Sequence, residues 1–206
     1  MENKTIALYC RYASVPISVP QKEYIEYYLD LLDPYYKCKY SFELFKTELK
    51  RHNSEEKYRS HINDVMSEIV AKISESDEMK KFKKEYPSMC KKTKLVGKPK
   101  SIFSPQNNSK EFLSIDIRSA NFNMVYKCCP EALQGFNTWT ELISSYTDDK
   151  FIIQSKFFRE VVFGKIGVSK ATSKLYPVYL ETVLDALEKK GVYTIEGKEL
   201  TTTELI

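Results

Sequence analysis

Asp116 is the residue whose position asks most of chemistry. It stands in the run FLSIDI, Phe112 to Ile117, where Phe112, Leu113, Ile115 and Ile117 are apolar and only Ser114 and Asp116 interrupt them. A short run of that composition reads as a buried strand. A carboxylate inside such a strand is costly to desolvate unless it is paired or binds a cation. Arg118 and Lys110 are near enough in sequence to neutralise it as a structural ion pair. The functional alternative is a metal ligand at a strand end.

A second feature is cationic. Between Lys80 and Lys100 there are nine lysines, Lys91, Lys92, Lys94, Lys98 and Lys100 among them, against the single acid Glu85. The formal net charge of the chain is only +4, so an argument for a polyanion must rest on this clustering and not on the global balance. The stretch is a candidate nucleic-acid contact, with a solvated helix end and linker as the plainer alternative. His52 and His61 are the only histidines and sit apart from the acidic candidates, as core or surface residues. The five cysteines have no repeating spacing. Cys128 and Cys129 are adjacent, without a CxxC or a nearby histidine, so zinc has no ligand set there. The amino terminus lacks a signal-type apolar core, and no apolar run approaches the ~20 residues a bilayer crossing needs. A reducing, cytoplasmic setting with no membrane is expected.

Three segments carry a resemblance. FLSIDIRSANFNMVY, Phe112 to Tyr126, is similar to the first carboxylate motif of the DNA polymerase I-like family A palm, where a strand delivers an Asp and turns at once into a helix. QSKFFREVVFG, Gln154 to Gly164, resembles that family's fingers helix, and the match places Arg159 where the family has its phosphate-binding Lys. YTIEGKEL, Tyr193 to Leu200, resembles the hairpin whose turn bears an Asp-Glu pair, with Glu199 on the Glu. The likeness covers about residues 110–200.

The resemblance implies a reduced, degenerate palm that binds nucleic acid or nucleotides, with Mg²⁺ if it is active. Asp116 and Glu199, with Glu196, would hold the metal, while Ser155, Lys156 and Arg159 on one helix would grip a triphosphate. The sequence departs from the family at Lys198, where a second metal-binding Asp belongs, at Asn121, where a Glu belongs, and at Gly167, where a Tyr belongs. If Glu196 or Glu199 supplies the second carboxylate, nucleotidyltransferase activity is retained. If Lys198 pairs with Asp116, an ammonium replaces the metal and the chain is an inactive relic. Two other readings need no catalysis: a nucleic-acid-binding or assembly protein using the Lys80–Lys100 stretch and an exposed tyrosine surface, and a viral or phage-type structural subunit.

The elements that must position these residues follow from periodicity. Residues 5–19 alternate Ile6, Leu8 and Cys10 against Ala7, Tyr9 and Arg11, which predicts a strand or hairpin. Apolar spacing predicts a helix over 22–32 ended by Asp33-Pro34. Ser41 can cap a helix over 42–51, and Ser54 a longer one with the stripe Tyr58, Ile62, Val65, Met66, Ile69 and Ile73. Residues 77–84 form a short helix, and 86–108, with Pro87, Gly97, Pro99 and Pro105, a long basic connection. Beyond Asp116, helices are expected over 120–129, over 141–146 capped by Thr138 or Thr140, and over 150–163 capped by Asp148 or Asp149 and stopped at Gly164. A last helix has Pro177 in its first turn, the stripe Leu180, Val183, Leu184 and Leu187, and Gly191 as its stop. The expected fold is α+β and helix-rich: a small mixed β-sheet with a C-terminal hairpin and an N-terminal helical lobe. The expected division is 1–86 as strand and helical lobe, 87–109 as linker and 110–206 as palm-like lobe, or one continuous domain.

Overall fold

A computed structural model of the chain describes residues 1–89, 105, 108 and 115–191. Ten α-helices and one short 3-10 helix account for the regular structure among them, and no strand occurs there. The expected α+β fold is therefore corrected to an all-α one. The N-terminal strand is a helix, α1 (Asn3–Ala13), which buries Thr5, Ile6, Leu8, Tyr9 and Cys10. Alternation misleads here because both registers are apolar: Ile6 with Cys10, and Thr5 with Tyr9, are also i,i+4 pairs, and six residues cannot separate the two periods. Tyr9 is fully buried, and its hydroxyl donates to the Cys38 carbonyl at 2.7 Å.

α2 (Ile25–Tyr36) runs two residues past Pro34, and a single left-handed residue, Lys37 (φ 51°), joins it to α3 (Cys38–Arg51). α4 (Glu55–Glu75) forms as the sequence predicts. Ser54 accepts from the Lys57 N–H at 3.2 Å, Glu55 and Glu56 suit the positive end of the helix dipole, and all six residues of the predicted stripe are buried. α5 (Asp77–Met89) is longer than expected.

The buried strand expected over Phe112–Ile117 is not found over its described part. Residues 115–117 lack regular structure, Asp116 is exposed, and the chain turns at 118–119 into α6 (Ala120–Cys128). Phe112 to Ser114 lie outside the described residues, as does the hairpin expected beyond Gly191. The 3-10 turn Pro130–Leu133 leads to α7 (Trp139–Ser144), where Thr138 is the cap.

The single helix expected over 150–163 is two helices, α8 (Lys150–Gln154) and α9 (Lys156–Ile166). Ser155 breaks them: its backbone is extended and its hydroxyl accepts from the Phe158 N–H. Gly164 lies inside α9, and the stop is Gly167 in the left-handed region (φ 78°). α10 (Ser169–Lys189) begins two turns before Pro177, where Ala171, Thr172 and Leu175 are its fully buried residues. Leu180, Val183, Leu184 and Leu187 are half-buried, a looser seam than the predicted core stripe. In the packing, α9 lies against α1, α4 and α6, α3 against α8, and α10 against α5 and α6. Helices from both halves of the chain thus share one apolar core.

Candidate functional site

The pairing of α5 with α10 creates a strongly cationic concavity. Lys83 and Lys84 come from the last turns of α5, and Lys170 and Lys174, at i,i+4, from the first turns of α10. Together with Ser88, Gly167 and Ala171 they line an open cleft of about 340 Å³, and no carboxylate among the described residues lies on its wall. Lys83 is held in place because its ammonium donates to the Ile166 carbonyl at 3.0 Å, covering the negative end of α9. The like-charged pair Lys170 and Lys174 costs roughly 0.2–0.5 kcal/mol in an isolated helix. An anion in the cleft would remove that repulsion. Sequence reading reached the α5 lysines as part of the 80–100 stretch but passed over Lys170 and Lys174. Their i,i+4 spacing at a helix start is visible in SKATSK, but nothing in the sequence says which helix they face.

Of the residues singled out by the polymerase resemblance, the described ones stand in separate surroundings. Asp116 is exposed on the lip of a second, more apolar depression of about 440 Å³, with Arg118, Asn123 and Lys127 on one side and Tyr179, Leu180 and Val183 on the other. Ser155 is buried in a structural role, donating to the Tyr12 carbonyl and capping α9. Lys156 is exposed and pairs with Glu160 at 3.7 Å. Arg159 is half-buried, and burial lowers its pKa from the usual guanidinium value, with Arg118 adding to the effect. Asn121 accepts from the Thr172 hydroxyl at 2.8 Å, tying α6 to α10. Glu196, Lys198 and Glu199 lie outside the described residues, as do Lys91, Lys92, Lys94, Lys98 and Lys100. Among the described residues no three His, Cys, Asp or Glu side chains form a group able to hold a metal ion.

A third cluster joins the histidines to Glu48, Asp148 and Asp149, acids that nothing in the sequence connects with them. Asp149 is completely buried, and its carboxylate accepts from the Tyr58 hydroxyl at 2.9 Å and from the backbone N–H groups of Phe151 and Ile152 at 2.8 and 3.1 Å. Burial raises its pKa despite those donors. Glu48, also buried, is raised by burial and by Asp149. His52 and His61 stack at 4.5 Å between ring centroids, and burial lowers the pKa of His61. Arg51 bridges Glu48 and Asp148 on the rim. This network knits α3 and α4 to the start of α8; its acids are held by Tyr58, two backbone amides and Arg51, while the buried Nε2 of His52 has no hydrogen-bond partner among the described residues. Neither of the two depressions described above is lined by it. Comparison with protein-family models, curated proteins and solved structures gives no match.

Proposed function

We propose that this chain binds nucleic acid without chemistry of its own, through the lysine cleft between α5 and α10 and the basic stretch that continues from α5. The observation that supports the reading is the cleft itself. Four ammonium groups from two helices converge on an open concavity lined by no carboxylate among the described residues. Lys84, Lys170 and Lys174 enter no ion pair among the described residues. The lysines from Lys91 to Lys100 follow directly in sequence, and a strand of phosphates laid on the cleft would be long enough to reach more than one of these charges. The catalytic reading asks for a sheet that brings Asp116 beside a second carboxylate. Asp116 instead sits in the open without a strand, so binding is the function carried forward.

Fluorescence anisotropy with a labelled single-stranded oligonucleotide at several salt concentrations tests this. Counterion release predicts that log K falls linearly with log salt, by about 0.7 for each phosphate neutralised on a single strand. Lys170→Gln with Lys174→Gln is expected to weaken binding and to reduce the slope by about 1.4. Changing Lys91, Lys92 and Lys94 to Gln is expected to flatten it further. Absence of binding at low salt, or a double variant indistinguishable from the parent, removes the proposal.

A further inference from the structure

α2 carries a face that the described residues leave largely uncovered, with Tyr28 alone half-buried against the core. At 100° per residue, Tyr24, Tyr27, Tyr28, Leu31 and Tyr35 fall within one sector of the helix, while Ile25 and Leu29 point into the core against α3 and Glu26, Asp30 and Asp33 occupy a third sector. Tyr24 is 53%, Tyr27 64%, Leu31 54% and Tyr35 81% exposed. Tyr36 and Tyr40 are also exposed, at 49% and 57%, but Tyr36 falls in the sector of Ile25 and Leu29 and Tyr40 belongs to α3. Single exposed apolar residues need no explanation, but a contiguous helical stripe of them marks an interaction surface. Tyrosine is among the residues most enriched at such surfaces, since it covers a large area with few rotatable bonds.

We propose that this stripe is a self-association surface, on which two copies of the chain pair about a two-fold axis with their α2 helices antiparallel. Spacing argues for a second copy as the occupant. Tyr24, Tyr28, Leu31 and Tyr35 are separated by four, three and four residues, a pattern that reads the same from either end. An antiparallel copy therefore sets Tyr24 beside the partner subunit's Tyr35, and Tyr28 beside the partner subunit's Leu31, as isologous pairing requires. Four-three-four is also the spacing by which side chains of two helices interlock along a shared seam. Area agrees. Tyr24, Tyr27 and Tyr35, each more than half exposed and covering ~150–250 Å² when fully buried, with Leu31 offer on the order of 500 Å² per copy, or about 1,000 Å² for the pair, the size from which specific interfaces begin. The acidic sector argues against an oligonucleotide as occupant. The stripe itself carries no cation, and the acids Glu26, Asp30 and Asp33 lie in a separate sector of the same helix, where Lys39 pairs with Asp30 at 2.6 Å.

The inference does not depend on nucleic-acid binding, and salt tells the two apart. The stripe is uncharged, so added salt is expected to hold or tighten a dimer built on apolar burial, whereas it loosens a polyanion on the lysine cleft. Sedimentation equilibrium of the full chain at micromolar concentrations is expected to show a monomer–dimer equilibrium. Leu31→Glu is expected to abolish it without lowering the melting temperature, because the position is exposed, and the cleft variants are expected to leave it intact. Register has its own test. Tyr24→Cys mixed with Tyr35→Cys is expected to give an oxidised crosslink between copies above the parent's background, and neither alone should, since eleven residues of helix separate like positions by ~16 Å. A chain that stays monomeric, a dimer that survives Leu31→Glu, weakening by salt, or a crosslink from Tyr24→Cys alone overturns the proposal.

Discussion

Asp149 shows how much one side chain can be asked to do. Its carboxylate caps α8 through two backbone amides and also holds the Tyr58 hydroxyl of α4. Replacing it with Ala leaves three buried donors without a partner, and a loss of roughly 2–4 kcal/mol is expected in urea unfolding at neutral pH. Asp149→Asn is gentler, because an amide oxygen can still accept from Phe151 and Ile152. Its cost should depend on pH with a definite sign. The carboxyl of Asp149 is raised above its unfolded value, chiefly by burial. The folded chain therefore keeps a proton that the unfolded chain has lost. Wild-type stability from this group is fully present below the ordinary Asp value of about 3.9 and is lost as pH rises through the raised one. Asn has no such loss, so the cost of Asp149→Asn should shrink between pH 4 and pH 7. A cost that grows over that range would contradict the raised pKa. His61 acts in the opposite sense: its pKa is lowered by burial, so its contribution is complete above about 6.5 and fades as pH falls.

At the scale of elements, caps and stripes carry separate and measurable shares. Ser54 supports α4 through one hydrogen bond to Lys57 N–H, and Ser54→Ala is expected to cost about 1 kcal/mol. Ile69, fully buried in the same helix, is expected to cost 2–5 kcal/mol as Ala, the range seen when methylenes are deleted from packed interiors. Gly167 ends α9 at φ 78° with open space where a Cβ would stand, so Gly167→Ala is limited by backbone strain and not by a clash. About 1 kcal/mol is expected there. The same change at Gly164, inside α9 and also open, is expected to be neutral or slightly stabilising. Chemical denaturation of the four variants checks the ranking. If Gly164→Ala proves the more damaging of the two, the end of α9 has been misplaced.

Across the whole molecule, α1 and α4 from the first half pack on α9 from the second, and the core runs through both. Trp139, buried at 5% exposure, reports on the second half, while far-ultraviolet circular dichroism follows helices everywhere. The two urea transitions are expected to coincide, as one cooperative unit requires. A fluorescence transition separated from the dichroic one would mean that the halves unfold independently. What the sequence by itself determined is the set of helices whose signals are local and redundant. α4 has a cap, a first turn of acids and six stripe positions that agree, and Thr138 and Asp149 likewise sit where their side chains can meet orphan amides. Signals that were short or served two periods at once misled. Thr5 to Cys10 satisfies both alternation and helical spacing, and the apolar run at Asp116 is consistent with a strand only if a neighbouring strand exists to pair with it. Only the tertiary structure decided that α1 would lie in a helical core and that Asp116 would face solvent. It also decided that Lys83 and Lys84 would meet Lys170 and Lys174 across 86 residues of sequence, and that Asp149 would find Tyr58 and Glu48. The physical reason is that periodicity reports which side of an element is apolar, whereas a binding cleft is made by the charged sides of two elements, whose mutual placement is set by packing elsewhere.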